Sequence, residues 1–524
     1  MSTHVLRILG LFVSLLSVAA AAPDAHPAHR VVVVVWDGMR PDFISPVTTP
    51  NLWRLEQRGV LFAHHHPVYL SSTEVNGTAM ATGAYPERSS VIANTDYRPG
   101  IDPLGPVGIE VPAVIRRGDE VSDGHYLNTA TVAEILHAHG RATVIAGAKQ
   151  VALLFDRQER SAKTTGSPVL FEGATLPPAV AADLAHELGA FPPAGADEDK
   201  VARDAWTTRA LIGLLWRNGV PDYSVLWLAE PDASQHASGP GSAQSLAAIK
   251  SCDGNLGLVL AELAQRGLLD TTDVLVVSDH GFSTINRKVD VAAELKAAGF
   301  TAGRKASHGL AAGQVIVVGN GGSSLLYVGG HEATVIQRLA AWLQQQDWTG
   351  VVFAREPLPG TFSLAEAHIN AVAAPDLVVS LRWSHERSAN GTPGLQVSDL
   401  APTSKKVGNH ASLSPYDMHN TLVAAGPDFR AGVTDTLPSA NTDLAPTILW
   451  CLGLPADAQT MDGRVLGEAL SIDAPPVRSY HLQRLTAHQA APAGQWNQYL
   501  QVSEVNGVRY LDEGDGEWVP TVKP

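Results

Sequence analysis

The chain predicts an α/β protein built on a doubly wound, mostly parallel sheet. Apolar, β-branched runs at residues 31–36, 223–228 and 274–277 have the pattern of central strands buried on both faces. These runs alternate with helical stretches, as βα units require. Each is followed within a few residues by a carboxylate: Asp37, Asp232 and Asp279. Ligands of open α/β sheets bind at the carboxyl ends of the strands, so the chemistry is expected there.

Residues 1–22 read as a secretory signal, with Arg7 in the positive region, residues 8–18 as the apolar stretch and Ala19 to Ala22 as the cleavage site. The apolar run is short for a membrane span, and no second one follows; an uncleaved anchor is the competing reading. The chain is therefore expected to be exported, periplasmic or secreted. Residues 23–299 form the first part of the core. A helix over 49–59 starts with Pro50 at an early position and stops at Gly59. A second starts near Thr73 and runs to Thr82. Residues 132–139 read as helix, 142–146 as strand, 201–218 and 244–266 as helices.

From 300 to 400 the pattern changes to short strands around a helix at 332–346, a smaller inserted subdomain. The core resumes over 401–475 with a strand at 420–425 and a helix at 443–452. Residues 476–524 read as a C-terminal hairpin-like extension.

A chain of 524 residues accommodates one large domain with insertions or two domains. Its net charge of −15 argues against general nucleic-acid binding, but the local field of a site still admits a small phosphorylated substrate. Cys252 and Cys451 lie far apart and lack zinc-ribbon spacing; unpaired thiols and a long-range disulfide both stand open.

Asp232-x-x-x-His236, Asp279-His280, Asp37 and His410 supply six oxygen and nitrogen ligands. That suffices for two borderline-soft ions such as zinc. Singly, each has a plainer reading: a helix cap, a turn, a solvated helix face. Together, at strand ends, they point to a two-metal hydrolase. The segment from Ser71 to Pro86 places Thr73 at a loop-to-helix turn, where a hydroxyl can serve as metal ligand and nucleophile. The N–H groups of such a turn suit a phosphoryl oxygen. Ser71-x-x-Glu74 is equally a capping box.

Val35-Trp-Asp-Gly-Met-Arg-Pro-Asp42, Thr73-x-x-Asn76 with Ala81-Thr-Gly-Ala-Tyr-Pro86, Glu230-Pro-Asp-Ala-Ser-Gln-His236 and Ser278-Asp-His-Gly281 occur in order. This set resembles the type I phosphodiesterase / nucleotide pyrophosphatase branch of the alkaline phosphatase superfamily, and Asn441-Thr-Asp-Leu-Ala-Pro-Thr447 is similar to a signature near the end of that fold. The resemblance implies a three-layer α/β/α sandwich with two divalent ions, zinc first among them. One ion falls to Asp232, His236 and His410, the other to Asp37, Asp279, His280 and the Thr73 oxygen. It further implies a phosphothreonine intermediate on Thr73, Asn76 as donor to a phosphoryl oxygen, and a nucleotide or other small phosphate ester as substrate.

The sequence departs from the family pattern in three places. Glu74-Val75 replaces Phe-Pro, Gly77 replaces a common His, and Lys149 stands where some threonine-nucleophile phosphomonoesterases of the superfamily place a phosphate-contacting lysine. Val151 follows where a partner arginine would be expected, and a plain surface lysine is the competing reading of Lys149. An alkaline phosphatase-like phosphomonoesterase is the alternative function, and a non-catalytic, metal-stabilised binding protein a further one. Sulfatase chemistry is disfavoured, because neither cysteine sits in a Cys-x-Pro-x-Arg motif. His64 to His66 and His419 read as packed or solvated rather than as ligands.

Overall fold

The computed structural model describes residues 30–158, 167–195 and 199–521; the signal-like segment lies outside them. The nine strands of the main sheet are β1 (Arg30–Trp36), β2 (Val60–His66), β3 (Thr143–Gly147), β4 (Val169–Phe171), β5 (Ala174–Leu176), β6 (Tyr223–Leu228), β7 (Thr272–Val277), β8 (Leu422–Ala425) and β9 (Val433–Ala440). Their spatial order is β9-β2-β8-β7-β1-β6-β3-β4-β5. From β7 to β4 neighbouring strands are parallel, whereas β8 runs antiparallel to both β7 and β2. The sheet is thus mostly parallel.

The valine run of β1 explains the layering. Successive side chains point to opposite faces of a strand, and here both faces are covered. Val31, Val33 and Val35 enter one apolar core with Val225, Trp227 and Ile448. Val32, Val34 and Trp36 enter a second core with Ile249, Cys252 and Leu256 of the long Ala243–Gln265 helix. Two cores separated by one sheet make a three-layer α/β/α sandwich.

Several boundaries differ from the sequence expectation. The inserted region is tied to the core beyond both expected ends, because Ser283–Val289 pairs with Pro393–Asp399 and with Gly408–Asn409. Ser283–Val289 is polar and mostly partly exposed, so it carries no apolar run to announce a strand. The six-stranded sheet of the insert spans strands from Ala302–Gly303 to Leu377–Leu381. The C-terminal extension is a three-stranded antiparallel sheet, Tyr480–Ala491, Gly494–Val505 and Val508–Pro520, rather than a hairpin. Its first strand is exposed over most of its length, and without a buried face there is no alternation to read. The sheet is pinned to the insert by Gln498, whose amide bonds both N–H and C=O of Val352. The helix expected over 201–218 is regular only for Val201–Ala210 and continues as one π turn, Leu211–Leu215.

Cys252 and Cys451 are both buried and unpaired. Among the described residues no helix is long and apolar enough to cross a membrane.

Candidate active site

In the middle of the sheet β1 lies between β6 and β7, with Trp36 opposite Leu228 and Val35 opposite Val277. The segments leaving these three ends therefore converge. Asp37 follows β1 directly; its carbonyl accepts from the N–H of Asp232 at 2.9 Å, and Gly38 N–H donates to Asp279 Oδ1 at 2.9 Å. Gly38 has a φ of +72° and almost no room for a side chain: a Cβ would lie 3.0 Å from the Phe282 ring and 3.3 Å from Asp232 Cα. Asp37, Asp279 and His280 are wholly buried; Asp232 and His410 are nearly so.

Each of the three histidines has one ring nitrogen against a backbone carbonyl. His236 Nδ1 meets Gly408 O at 2.9 Å, His280 Nδ1 meets Gly281 O at 2.8 Å, and His410 Nδ1 meets Ser71 O at 2.8 Å. A carbonyl only accepts, so Nδ1 carries the proton in every case and Nε2 keeps its lone pair. Those Nε2 atoms face the carboxylates. His236 lies 3.2 Å and His410 3.7 Å from Asp232 Oδ1; His280 lies 3.3 Å from Asp279 Oδ2 and 3.6 Å from Asp37 Oδ1. Ligands of a tetrahedral zinc at 2.0–2.2 Å stand roughly 3.3–3.6 Å apart. The donor set has that spacing. Among the described residues Asp37 Oδ1, Asp232 Oδ1 and Asp279 Oδ2 are buried without hydrogen-bond partners, which fits them as ligand atoms for a cation.

Electrostatics agree with metal binding. Burial, then the nearby His280, holds His410 well below its usual range, and burial lowers His236 as well; both imidazoles stay neutral, as ligands must. Burial, then Asp279, raises Asp37. Burial also opposes the charge on Asp232, and the Lys149 ammonium 3.4 Å away works against that. Asp232, His236 and His410 form one buried group able to hold metal; Asp37, Asp232 and His280 form another. Sharing Asp232, the two adjoin.

Thr73 opens the ten-residue helix Thr73–Thr82 and is buried, with Oγ1 3.4 Å from His280 Nε2. The N–H groups of a first turn have no intrahelical acceptor, so they point at whatever sits before Thr73. The expected capping box does not form: Ser72 is the cap residue and its side chain makes no capping bond, and Ser71 Oγ donates to Ser412 O. Gly77 is explained by packing, since a Cβ there would come within 2.7 Å of Val151 Cγ2.

Asn76 does not face the reacting space. Its amide group donates to Val68 O and Ser72 O, and its Oδ1 accepts from Val68 N–H and from Asn441 Nδ2. Both amide hydrogens are spent on backbone carbonyls, so Asn76 positions the loop and is no phosphoryl donor. Asn441 Nδ2 also donates to Asp279 O, joining the Thr73–Thr82 helix to the loop that carries Asp279. The residue that sequence reasoning missed is Asn94. Its Oδ1 accepts from the N–H of Glu74 at 3.0 Å, which fixes its carboxamide beside the first turn. Among the described residues the Asn94 amide NH2 has no partner. The signal was faint: one polar residue ending the buried run Val91, Ile92, Ala93.

Lys149 is no plain surface lysine. It follows the end of β3, and its Nζ lies 2.8 Å from Asp37 Oδ2 and 3.4 Å from Asp232 Oδ2. The Trp227 indole N–H donates to the same Asp37 Oδ2 at 3.0 Å. Of the histidines set aside, His65 is structural, its ring bonded to Ser439 Oγ and Asn441 Oδ1 at 2.9 Å each.

Residues 31–412 match the family model of type I phosphodiesterase / nucleotide pyrophosphatase. The chain belongs to that family, which is metal-dependent. It is 21% identical over 290 residues to ectonucleotide pyrophosphatase/phosphodiesterase family member 7 of Mus musculus, covering 54% of this chain and 57% of that protein. It is 23% identical over 263 residues to the bis(5'-adenosyl)-triphosphatase enpp4 of Xenopus laevis, covering 50% and 49%. A venom phosphodiesterase of Crotalus durissus collilineatus is 24% identical over 273 residues, 51% of this chain and 28% of that protein. The chain thus spans about half the length, or less, of these relatives. Murine ectonucleotide pyrophosphatase/phosphodiesterase 5, solved in an inactive threonine-to-alanine form with AMP, superposes with a TM-score of 0.57 at 19% identity, over 81% of this chain and 95% of that one. The fold is the alkaline phosphatase-like one.

Proposed function

We propose that the chain hydrolyses phosphate esters by in-line attack of Thr73 Oγ1, passing through a phosphothreonine, at a site that holds two divalent ions. The carrying observation is the set of three Nδ1-to-carbonyl hydrogen bonds, which leaves three Nε2 lone pairs beside three buried carboxylates and the Thr73 hydroxyl. A mixed His/Asp set suits zinc better than magnesium or calcium. His236, His410 and Asp232 would hold one ion; Asp37, Asp279, His280 and Thr73 would hold the other. When bound, the ions neutralise charge on the entering and leaving oxygens and acidify the threonine hydroxyl. The chain itself supplies position: the turn before the helix aims Oγ1, while the Asn94 amide NH2, held in place by the Glu74 N–H, receives a phosphoryl oxygen.

Family membership supports a phosphodiesterase or nucleotide pyrophosphatase. Lys149, held against Asp37 and Asp232, supports the second reading, a phosphomonoesterase, because a cation there can meet the extra charge of a monoester. The signal-like residues 1–22 support export to the periplasm or the medium. The test is release of p-nitrophenol from the mono- and bis-(p-nitrophenyl) phosphates, with and without chelator. Turnover of at least one ester, abolished by chelation and restored by zinc, is the expected result. Failure on both with zinc supplied rejects the reading.

A further inference from the structure

A second group of histidines lies outside the active site. His64 and His66 are two residues apart on β2, so their side chains leave the same face of the strand. The ring of His419, from the segment before β8, stands against both, with its centroid 6.3 Å from that of His64 and 6.4 Å from that of His66. A carboxylate joins them from the C-terminal sheet. In its last strand Glu513 pairs with Gln501 and Leu511 with Val502, so Asp512 is the extra residue of a β-bulge, a device that re-aims a side chain. Asp512 Oδ1 comes within 3.3 Å of His66 Nε2.

Hydrogen bonding leaves this group short of a cation. His66 Nδ1 meets Ser439 O at 3.2 Å, so Nδ1 carries the proton and Nε2 turns a lone pair on Asp512, acceptor against acceptor. His419 Nε2 is buried with no hydrogen-bond partner among the described residues, a costly state for a polar atom. Burial pushes the His66 and His419 imidazoles down to about 4, which keeps them neutral, as ligands must be. A shared proton satisfies the His66–Asp512 contact, since burial raises the Asp512 carboxyl to about 7, but it leaves His419 Nε2 unmet. The spacing is close to what an ion needs. His236 and His410, side by side in the active site, have ring centroids 5.3 Å apart, and His419 is about 1 Å more open toward each of its neighbours. As the side chains stand, no three ligand atoms of the group fall within 4.8 Å of one another. His64 has the freedom to close it, being exposed, with a ring that makes no hydrogen bond among the described residues.

We propose that His64, His66, His419 and Asp512 form a transition-metal site separate from the catalytic one, which clips the C-terminal sheet to β2. Three imidazoles and a carboxylate suit a borderline-soft divalent ion, zinc first. The ion takes the place of the missing proton between His66 Nε2 and Asp512 Oδ1 and gives His419 Nε2 its partner. The ligands come from β2, from the segment before β8 and from the last strand of the chain, so binding ties three distant stretches of sequence together.

The test titrates the chelated full chain with zinc, measuring bound metal, turnover and amide hydrogen exchange over residues 508–520. Wild type is expected to bind one equivalent more than His64→Ala, with turnover the same in both. Asp512→Asn is expected to hold that equivalent at least about ten-fold more weakly. The same equivalent should slow exchange over 508–520 in wild type and not in His64→Ala. The readout is a difference of one equivalent between wild type and variant, so it stands apart from how many ions the active site holds. Equal zinc binding by wild type, His64→Ala and Asp512→Asn overturns the proposal. Exchange over 508–520 that zinc leaves unchanged in wild type overturns it whether or not the variants fold, because the ion is then adventitious. Loss of turnover together with the equivalent in folded His64→Ala assigns the ion to the active site and overturns it as well.

Discussion

Strand β7 carries a buried acid cluster at each end, and the two behave in opposite ways. Past its carboxyl end, Asp279 sits with Asp37, Asp232, three histidines and Lys149. At its start, Asp273 sits with Asp428 and Cys451, and these three also place their ligand atoms within 4.8 Å of one another. Counting ligands does not separate the clusters; the groups around the carboxylates do. Burial, then Asp428, raises the Asp273 carboxyl well above its ordinary value, and burial raises the Cys451 thiol. No imidazole and no cation stands in the group at the start of the strand. At the other end three imidazoles turn Nε2 toward the carboxylates, and a lysine lies among them. What marks a buried acid cluster as a candidate metal centre is imidazole lone pairs and a cation among its carboxylates.

The predictions sharpen that contrast. Thr73→Ala should lower turnover by roughly three orders of magnitude or more while the fold survives, and Thr73→Ser should keep part of the activity. Near-normal turnover in well-folded Thr73→Ala would reduce Thr73 to a helix residue. Asn94→Ala should cost about 10²-fold in kcat, as the loss of one oxyanion donor does. Asn76→Ala should instead cost about 1–3 kcal/mol of stability, with the rate per folded molecule changed far less. Thermal melts and active-site-normalised rates on the two asparagine variants decide between these roles.

The smallest effect on activity belongs to the far cluster. Asp273 has a folded pKa above its unfolded value, so its contribution to stability is complete below about pH 3.8 and is lost as pH rises toward the folded value. Asp273→Asn removes that loss. It should leave turnover per folded molecule unaltered and raise the melting temperature relative to wild type progressively from acid to alkaline pH. A collapse of activity with intact folding would make the far cluster part of the site.

Much of this was legible because the central strands are doubly buried. The valines of β1 and the apolar runs of β6 and β7 announced a parallel sheet, and the acids just past them announced its working edge. Weaker signals misled. Asn76 lies at the nucleophile turn in sequence, but a one-dimensional pattern does not say which way an amide points, and its hydrogens go to Val68 and Ser72. Asn94 reaches the same turn from 21 residues further on, a contact no local pattern encodes. Lys149 looked like a surface residue because only the strand order brings the end of β3 beside β6, one strand from β1. The strand Tyr480–Ala491 was missed for want of a buried face.

The central claim is that two ions serve one nucleophile, and it is tested most directly by restoring metal to chelated protein while measuring bound zinc and activity together. Activity should be absent in the metal-free chain and return with zinc, reaching its plateau at two equivalents. His410→Ala and His280→Ala should each remove about one equivalent and nearly all turnover. Full activity in protein shown to contain no transition metal, or a plateau reached before any second equivalent binds, would contradict the two-ion account.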